Sequence, residues 1–84
     1  MNIYQAGIYN TIIRCFRESD KKRRVFSLDE VSTKVLSEEF CSQEELNAAL
    51  KFLVDSGRIR KKAGSLKLMA EDPEYVSVKL INLL

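Results

Sequence analysis

Apolar residues recur at helical spacing between residues 2 and 18, where steps of about 100° per residue bring them to one side of a helix. The pattern predicts an amphipathic first helix. Its apolar arc holds Tyr4, Ile8, Tyr9, Ile12, Ile13, Cys15 and Phe16, and the opposite side holds Asn10, Arg14, Arg17 and Glu18. The arc covers about half of the circumference, which is wider than the stripe that a surface helix usually buries. We therefore expect this helix to pack against a second surface, either the carboxy-terminal segment or another subunit.

Two further helices are predicted by a repeated N-terminal signature. Ser27 is followed three residues later by Glu30, and Ser42 is followed in the same way by Glu45, which is the spacing of a capping box. The second helix has to end only a few residues before the third begins, so the two form a helix-turn-helix hairpin. Gly57 supplies the left-handed residue with which helices commonly end.

Alternation with a period of two follows the third helix and predicts a short, basic hairpin. Residues 58–62 alternate charged side chains around Ile59, and residues 65–69 alternate leucine with polar or exposed positions. Between them, Ala63 and Gly64 can supply the positive backbone angle that a tight turn requires. The loop is short, so the hairpin should be stubby.

The carboxy-terminal segment admits two interpretations. Asp72 is an N-cap type of residue, and the proline and glutamate that follow it complete the signature of a helix start. The apolar stripe of such a helix would consist of Val76, Leu80, Leu83 and Leu84. Alternation of Val76, Val78 and Leu80 would also suit a strand, and the β-branched content favours that alternative locally. Of the two, the helix is our prediction.

The assembled elements predict an α+β fold that is mainly helical. Val25 and Phe26 are enough for a very short first strand between the first two helices. A three-helix core and a short β-hairpin then occupy residues 3–69, and the additional segment occupies residues 72–84. With 84 residues, of which 45% are apolar, the chain has room for a single domain over residues 1–84.

Charge is distributed unevenly along the chain, although the formal net charge is only +2. Residues 14–24 contain six basic and two acidic side chains, and residues 58–67 contain five basic and no acidic ones. Residues 29–55 carry seven acids against two lysines, so the second and third helices are net acidic. The two basic stretches are therefore the candidates for contact with an anionic partner.

Catalysis and metal binding find little support in the sequence. Histidine is absent, and the chain contains no glycine-rich phosphate loop and no nucleophile beside a base. Cys15 and Cys41 are too few for a disulfide framework or a zinc site and are expected to be small buried hydrophobes in a reducing compartment. We expect no enzyme activity, no cofactor and no small-molecule ligand. No signal peptide or membrane span is visible, which predicts an intracellular protein in a prokaryotic cytoplasm or a nucleus.

The order of elements resembles the winged helix-turn-helix superfamily over residues 3–69. The most family-like piece is LKFLVDSGRIRKK at residues 50–62, where a helix ends at a small residue plus glycine and a basic strand begins. The short wing and acidic third helix are similar to the small winged-helix modules at the carboxy-terminal ends of replication proteins, including replicative helicase subunits and the middle subunit of replication protein A. The resemblance implies binding of DNA or of protein, in replication or transcription regulation.

In a DNA-binding winged helix, the third helix lies in the major groove and the wing lies on the adjacent backbone. The candidate base readers are Gln43, Asn47 and Lys51, because the exposed face of that helix carries them. The candidate phosphate contacts are Arg58, Arg60, Lys61, Lys62 and Lys67 in the wing, with Lys21, Lys22, Arg23 and Arg24 in the loop after the first helix. Glu44 and Glu45 would repel phosphate, so limited base reading is expected from the helix. Both basic clusters could instead be solvated, with the charge of the hairpin discouraging edge-to-edge strand pairing.

A protein-interaction or assembly module is the competing hypothesis. Its partner surface would join the apolar arc of the first helix to the apolar carboxy-terminal segment. The residues assigned to this surface are Tyr4, Ile8, Ile12, Val76, Leu80, Leu83 and Leu84. If these two regions do not simply pack on each other in a monomeric core, they could form a symmetric homodimer or bind another protein.

Overall fold

The computed structural model describes residues 1–21, 23–38 and 41–77. These residues form three helices and one three-stranded antiparallel sheet, which confirms the predicted α+β class. In chain order the elements are α1 (Ile3–Glu18), β1 (Val25–Ser27), α2 (Leu28–Ser37), α3 (Gln43–Asp55), β2 (Ile59–Lys62) and β3 (Ser65–Leu68). No helix in the described ranges combines the length and the apolar character needed to cross a membrane.

Side-chain caps fix where the second and third helices begin. The Ser27 hydroxyl accepts from the main-chain N–H of Glu30, whose carboxylate accepts from the Ser27 N–H in return. Ser42 and Glu45 form the same pair at the start of α3, so both predicted capping boxes are present. Each cap satisfies main-chain donors that a helix leaves unpaired, and a serine N-cap contributes about 1 kcal/mol.

The end of α3 is fixed by Gly57, which adopts the predicted left-handed conformation with a φ of 79°. Its N–H donates to the carbonyl of Val54, and the N–H of Arg58 donates to the carbonyl of Leu53. These two bonds define a Schellman motif, which satisfies carbonyls at the helix end and turns the chain directly into β2.

The sheet has the strand order β1-β3-β2, with β3 in the centre. Ala63 and Gly64 join β2 to β3 and both have positive φ, at 48° and 81°. Two positive φ values in a two-residue loop are typical of the type I′ turn, whose twist matches that of the strands. The Gly64 carbonyl accepts from the N–H of Leu28 at 2.8 Å, so the tip of the hairpin is held against the start of α2 and does not project.

The core lies between the inner face of the sheet and the three helices. Its fully buried large side chains are Ile8, Ile12, Ile13, Phe26, Val31, Val35, Leu46, Leu53, Ile59, Leu66 and Leu68. The strands contribute Phe26, Ile59, Leu66 and Leu68 to this core, and all four point to the same face of the sheet because side chains alternate along a strand.

The chain after the sheet crosses back over α1 without forming a regular element. Residues 73–77 are neither helix nor strand, so the helix predicted to start at Asp72 is wrong for this stretch. The Asn10 side chain bonds the main chain of Val76, and Arg17 donates to the carbonyl of Pro73. Residues 78–84, which include Leu80, Leu83 and Leu84 of the predicted partner surface, lie outside the described residues.

The rest of the predicted partner surface is largely internal. Ile8 and Ile12 have no exposed area, and Val76 is partly buried against the core. The assignment of the two isoleucines to a partner surface is therefore wrong, because the wide apolar arc of α1 packs against α3 and α2 of its own chain. Tyr4 is 37% exposed, and its hydroxyl is bonded to the Glu45 carboxylate.

Candidate nucleic-acid interface

The outer face of the three-stranded sheet is exposed along its whole width in the described structure. It consists of the six strand residues whose side chains alternate with the buried ones. These are Val25 and Ser27 of β1, Ser65 and Lys67 of β3, and Arg60 and Lys62 of β2, and all six are exposed. Three of the six are basic and none is acidic. We call this surface the sheet face.

Pairing of the strands sets the arrangement of the cations on the sheet face. Lys67 lies directly opposite Arg60 on one side and Val25 on the other, so the two cations sit side by side in one row. In the next row, Ser65 lies between Lys62 and Ser27. Like charges placed directly opposite each other destabilise a strand pair, and no carboxylate within the sheet face offsets the Arg60–Lys67 pair. The arrangement is one that an anion bound from outside would stabilise.

Ion pairs in the described part of the chain lie elsewhere. They join Arg14 to Glu38 at 2.7 Å, Arg23 to Glu30 at 2.5 Å and Lys34 to Glu18 at 3.8 Å. None of them includes a cation of the sheet face, so these cations keep their charge available to solvent or to a ligand.

Two of the five cations predicted in the hairpin lie off the sheet face. Lys61 faces the opposite side from Arg60 and Lys62, because neighbouring residues of a strand point to opposite sides. It borders a cleft whose other wall is α3, together with Asn47 and Lys51. Arg58, also exposed, precedes β2, and its carbonyl accepts from the N–H of Met69.

The first turns of α3 are acidic and already bonded internally. Gln43 donates from its side-chain amide to the Asn47 carbonyl oxygen at 2.9 Å, so two of the three predicted base readers bind each other. The pKa of Glu45 is lowered, first by the hydrogen bond from the Ser42 N–H and then by the Tyr4 hydroxyl. The same bond raises the pKa of Tyr4, because the carboxylate holds the phenolic proton. This end of α3 therefore presents fixed negative charge.

The basic loop after α1 is mostly engaged within the chain. The Arg23 guanidinium donates to Glu30 and lies over the Phe26 ring, and it is the first cause of the lowered pKa of Glu30. Arg24 donates to the carbonyls of Ala70 and Glu71 and lies over the Phe16 ring. Lys21 is exposed, and Lys22 lies outside the described residues.

This basic loop also lies at the end of the sheet opposite to the hairpin turn, so its cations do not extend the basic surface at the turn. The Arg24 carbonyl accepts from the N–H of Leu68, at the end of β3 that is furthest from the Ala63-Gly64 turn. The structure therefore does not join the loop and the turn into one basic surface.

Sequence inspection missed the neutral members of the sheet face, Val25, Ser27 and Ser65, and the apolar lining of the cleft. One sequence signal for the two faces of β2 was available. The alternation that predicts Ile59, Leu66 and Leu68 on the inner face also puts Lys61 on that face and puts Arg60 and Lys62 on the outer face. The position of β1 beside β3, which brings Val25 next to Lys67, needed the tertiary structure.

Metal chemistry has no support in the described structure. No group of three or more histidine, cysteine, aspartate and glutamate side chains in the described ranges could hold a metal ion. Cys15 and Cys41 are free thiols and are partly buried.

Comparison with models of known protein families, with curated proteins and with solved structures finds no match to this chain.

Proposed function

We propose that the chain is a winged-helix domain that binds nucleic acid through its sheet face. The winged-helix part of the proposal is supported by the order helix, strand, helix, helix, strand, strand and by a sheet in which the first strand lies beside the third. In this proposal the β2–β3 hairpin is the wing, and it is a short one because its tip is bonded to α2.

The observation that carries the proposal is the position of Lys67 beside Arg60 on the exposed sheet face. Lysines on an edge strand are commonly explained as protection against edge-to-edge pairing of sheets. That explanation covers Arg60 and Lys62, which lie on the edge strand β2. It does not cover Lys67, which lies on the central strand and has a like charge opposite it. An anionic ligand gives the three cations a common role.

The contacts expected from this surface are to phosphate. Flexible, exposed lysine and arginine side chains neutralise a nucleic-acid backbone and specify little sequence. Base reading by α3 is limited in the proposal, because Glu44 and Glu45 repel a duplex and Gln43 binds Asn47. Binding should then be sensitive to salt and tolerant of sequence, and roles in replication or in regulation of transcription would both suit such a domain.

The test is a titration of labelled duplex and single-stranded DNA at two salt concentrations with a charge-reversed sheet face. The variant combines Arg60→Glu, Lys62→Glu and Lys67→Glu. A matched control combines Lys21→Glu, Lys51→Glu and Lys61→Glu, which changes the net charge equally but leaves the sheet face intact. We expect a loss of at least about tenfold in affinity for the first variant and a much smaller loss for the second.

Two results would overturn the proposal. One is the absence of binding by the unchanged chain at low salt. The other is an equal loss of affinity in both variants, which would show a response to net charge and not to the sheet face. Circular dichroism of both variants establishes that each is folded before the comparison is made.

A further inference from the structure

A cleft of about 260 Å³ lies on the other side of the sheet from the sheet face, between α3, the start of α2 and β2. Its apolar lining comes from Leu28, Leu50 and Val54. Leu28 and Val54 are partly exposed although they pack against the core, so the floor of the cleft is apolar surface open to solvent. The volume is below the range of 300–1,000 Å³ typical of small-molecule sites, and it suits one large side chain better than a whole ligand.

Three charged side chains, Lys51, Asp55 and Lys61, surround this apolar floor. Lys51 of α3 and Lys61 of β2 reach the cleft from different elements, and Asp55 lies one turn further along α3 from Lys51. None of the ion pairs found among the described residues includes these three side chains. The cleft therefore offers two cations and one anion beside an apolar seat.

A free strand edge borders the same cleft. β2 pairs with β3 on one side only, and in the described structure no strand pairs with its other side. The Arg58 carbonyl accepts from the Met69 N–H, so the alternation of an antiparallel ladder directs the main-chain groups of Ile59 and Lys61 toward the free edge. An extended peptide can use such groups to add a strand, while its side chains enter neighbouring pockets.

We propose that this cleft binds an extended acidic segment of a partner protein, which seats one large apolar side chain on Leu28, Leu50 and Val54. Carboxylates of the segment pair with Lys51 and Lys61, and its main chain runs along the edge of β2. The occupant is a peptide and not a nucleic acid for two reasons. The lining contains no aromatic ring on which a base could stack, and the alternating donors and acceptors at the free edge of β2 match the main chain of a peptide and not a sugar-phosphate backbone.

The experiment is an NMR titration of the isotopically labelled chain with a capped pentapeptide probe of four glutamates around a central phenylalanine. We expect shifts of the methyl resonances of Leu28, Leu50 and Val54 and of the amide of Lys61. Replacing the phenylalanine of the probe by alanine should abolish the methyl shifts, because the seat is then empty. A probe with lysines in place of glutamates should not bind at the cleft.

Two matched variants separate the cleft from general electrostatic attraction. Lys51→Glu with Lys61→Glu and Arg60→Glu with Lys62→Glu lower the net charge equally. The first pair should weaken probe binding by at least about tenfold, and the second should change it by less than about threefold.

Shifts confined to the sheet face, equal binding of the alanine probe, or equal loss in both variants would each overturn the proposal. Oligothymidylate that shifts the cleft methyl resonances when the peptide does not would assign the cleft to nucleic acid and would also overturn it. The DNA titration of the charge-reversed sheet face tests the nucleic-acid proposal separately, so the failure of one proposal can be distinguished from the failure of the other.

Discussion

Asn10 and Val76 are joined by a closed pair of hydrogen bonds across 66 positions of the chain. The Asn10 side-chain nitrogen donates to the Val76 carbonyl at 2.9 Å, and the Val76 N–H donates to the Asn10 side-chain oxygen at 2.7 Å. The side chain thus bonds both polar groups of one residue, as a neighbouring strand would. Because the polar side of α1 offers no strand, this one amide takes its place and satisfies a partly buried stretch of main chain.

Removal of this amide should release the segment that follows the sheet. For Asn10→Ala we expect a loss of about 1–2 kcal/mol in the free energy of unfolding, because two partly buried hydrogen bonds are lost and the Val76 main chain is left without these partners. Chemical denaturation gives the free energy, and hydrogen exchange should show faster exchange of the Val76 amide. Asn47→Ala is the matched control, since its amide is exposed and bonded only on the surface of α3. A loss as large in the control would contradict this role for Asn10.

The hairpin turn carries a strained alanine that can be relieved. Ala63 has a φ of 48°, a region where asparagine is far more common than alanine. Ala63→Asn should therefore stabilise the chain by about 0.5 kcal/mol. Gly64→Ala should destabilise it by about 1 kcal/mol, because alanine disfavours a φ of 81°. The added Cβ meets no atom within 4 Å, so the backbone conformation is the whole cost. Thermal unfolding of the two variants should give shifts of opposite sign, and shifts of the same sign would exclude backbone strain as the cause.

Stability should fall in acid because of the glutamates of the two capping boxes, Glu30 and Glu45. The pKa of Glu30 is lowered chiefly by the Arg23 guanidinium, and that of Glu45 chiefly by the Ser42 N–H. A group whose pKa is lower in the folded chain contributes stability above its ordinary pKa, here 4.5, and loses it as the pH falls through the lower folded value. Denaturation below pH 4.5 should thus show a decline that Glu30→Gln with Glu45→Gln reduces.

Glutamine keeps the capping geometry in this experiment but does not titrate, so the difference isolates the charge. Glu44→Gln is the control, because it removes an exposed carboxylate from the same turn without touching a capping box. An acid decline of equal size in the double variant and the unchanged chain would rule out the capping boxes as its source.

Local sequence signals predicted the helices and strands of the core, but they did not predict the path of the chain after the sheet, which depends on tertiary contacts. The capping boxes at Ser27 and Ser42 and the glycine at position 57 depend on atoms a few residues apart, so sequence spacing is enough to find them. The signature at Asp72 had the same local quality and was wrong for residues 73–77. There, bonds from Asn10 and Arg17, more than 50 positions earlier, hold the main chain in a non-helical path.

The candidate site was predicted at the level of the hairpin but not of its faces. Arg60, Lys61 and Lys62 were predicted as one set of phosphate contacts, but a strand sends alternate side chains to opposite sides, so Lys61 does not share a face with the other two. The loop was overestimated for a different reason: Arg23 and Arg24 find partners in Glu30 and in the chain around Ala70, which no local pattern reveals. Charge counted along the sequence therefore exceeds the charge available on one surface.

The salt dependence of binding gives a quantitative test of the sheet face. If Arg60, Lys62 and Lys67 each neutralise one phosphate, the logarithm of the association constant should fall with the logarithm of salt concentration with a slope of about 2 to 3. Changing any one of them to glutamine should lower that slope by slightly less than one, because one fewer counterion is released. Lys21→Gln is the control, since Lys21 is also exposed but lies outside the sheet face. A slope well above 3 would require further cations in the interface, and a slope unchanged by all three substitutions would place the nucleic acid on another surface.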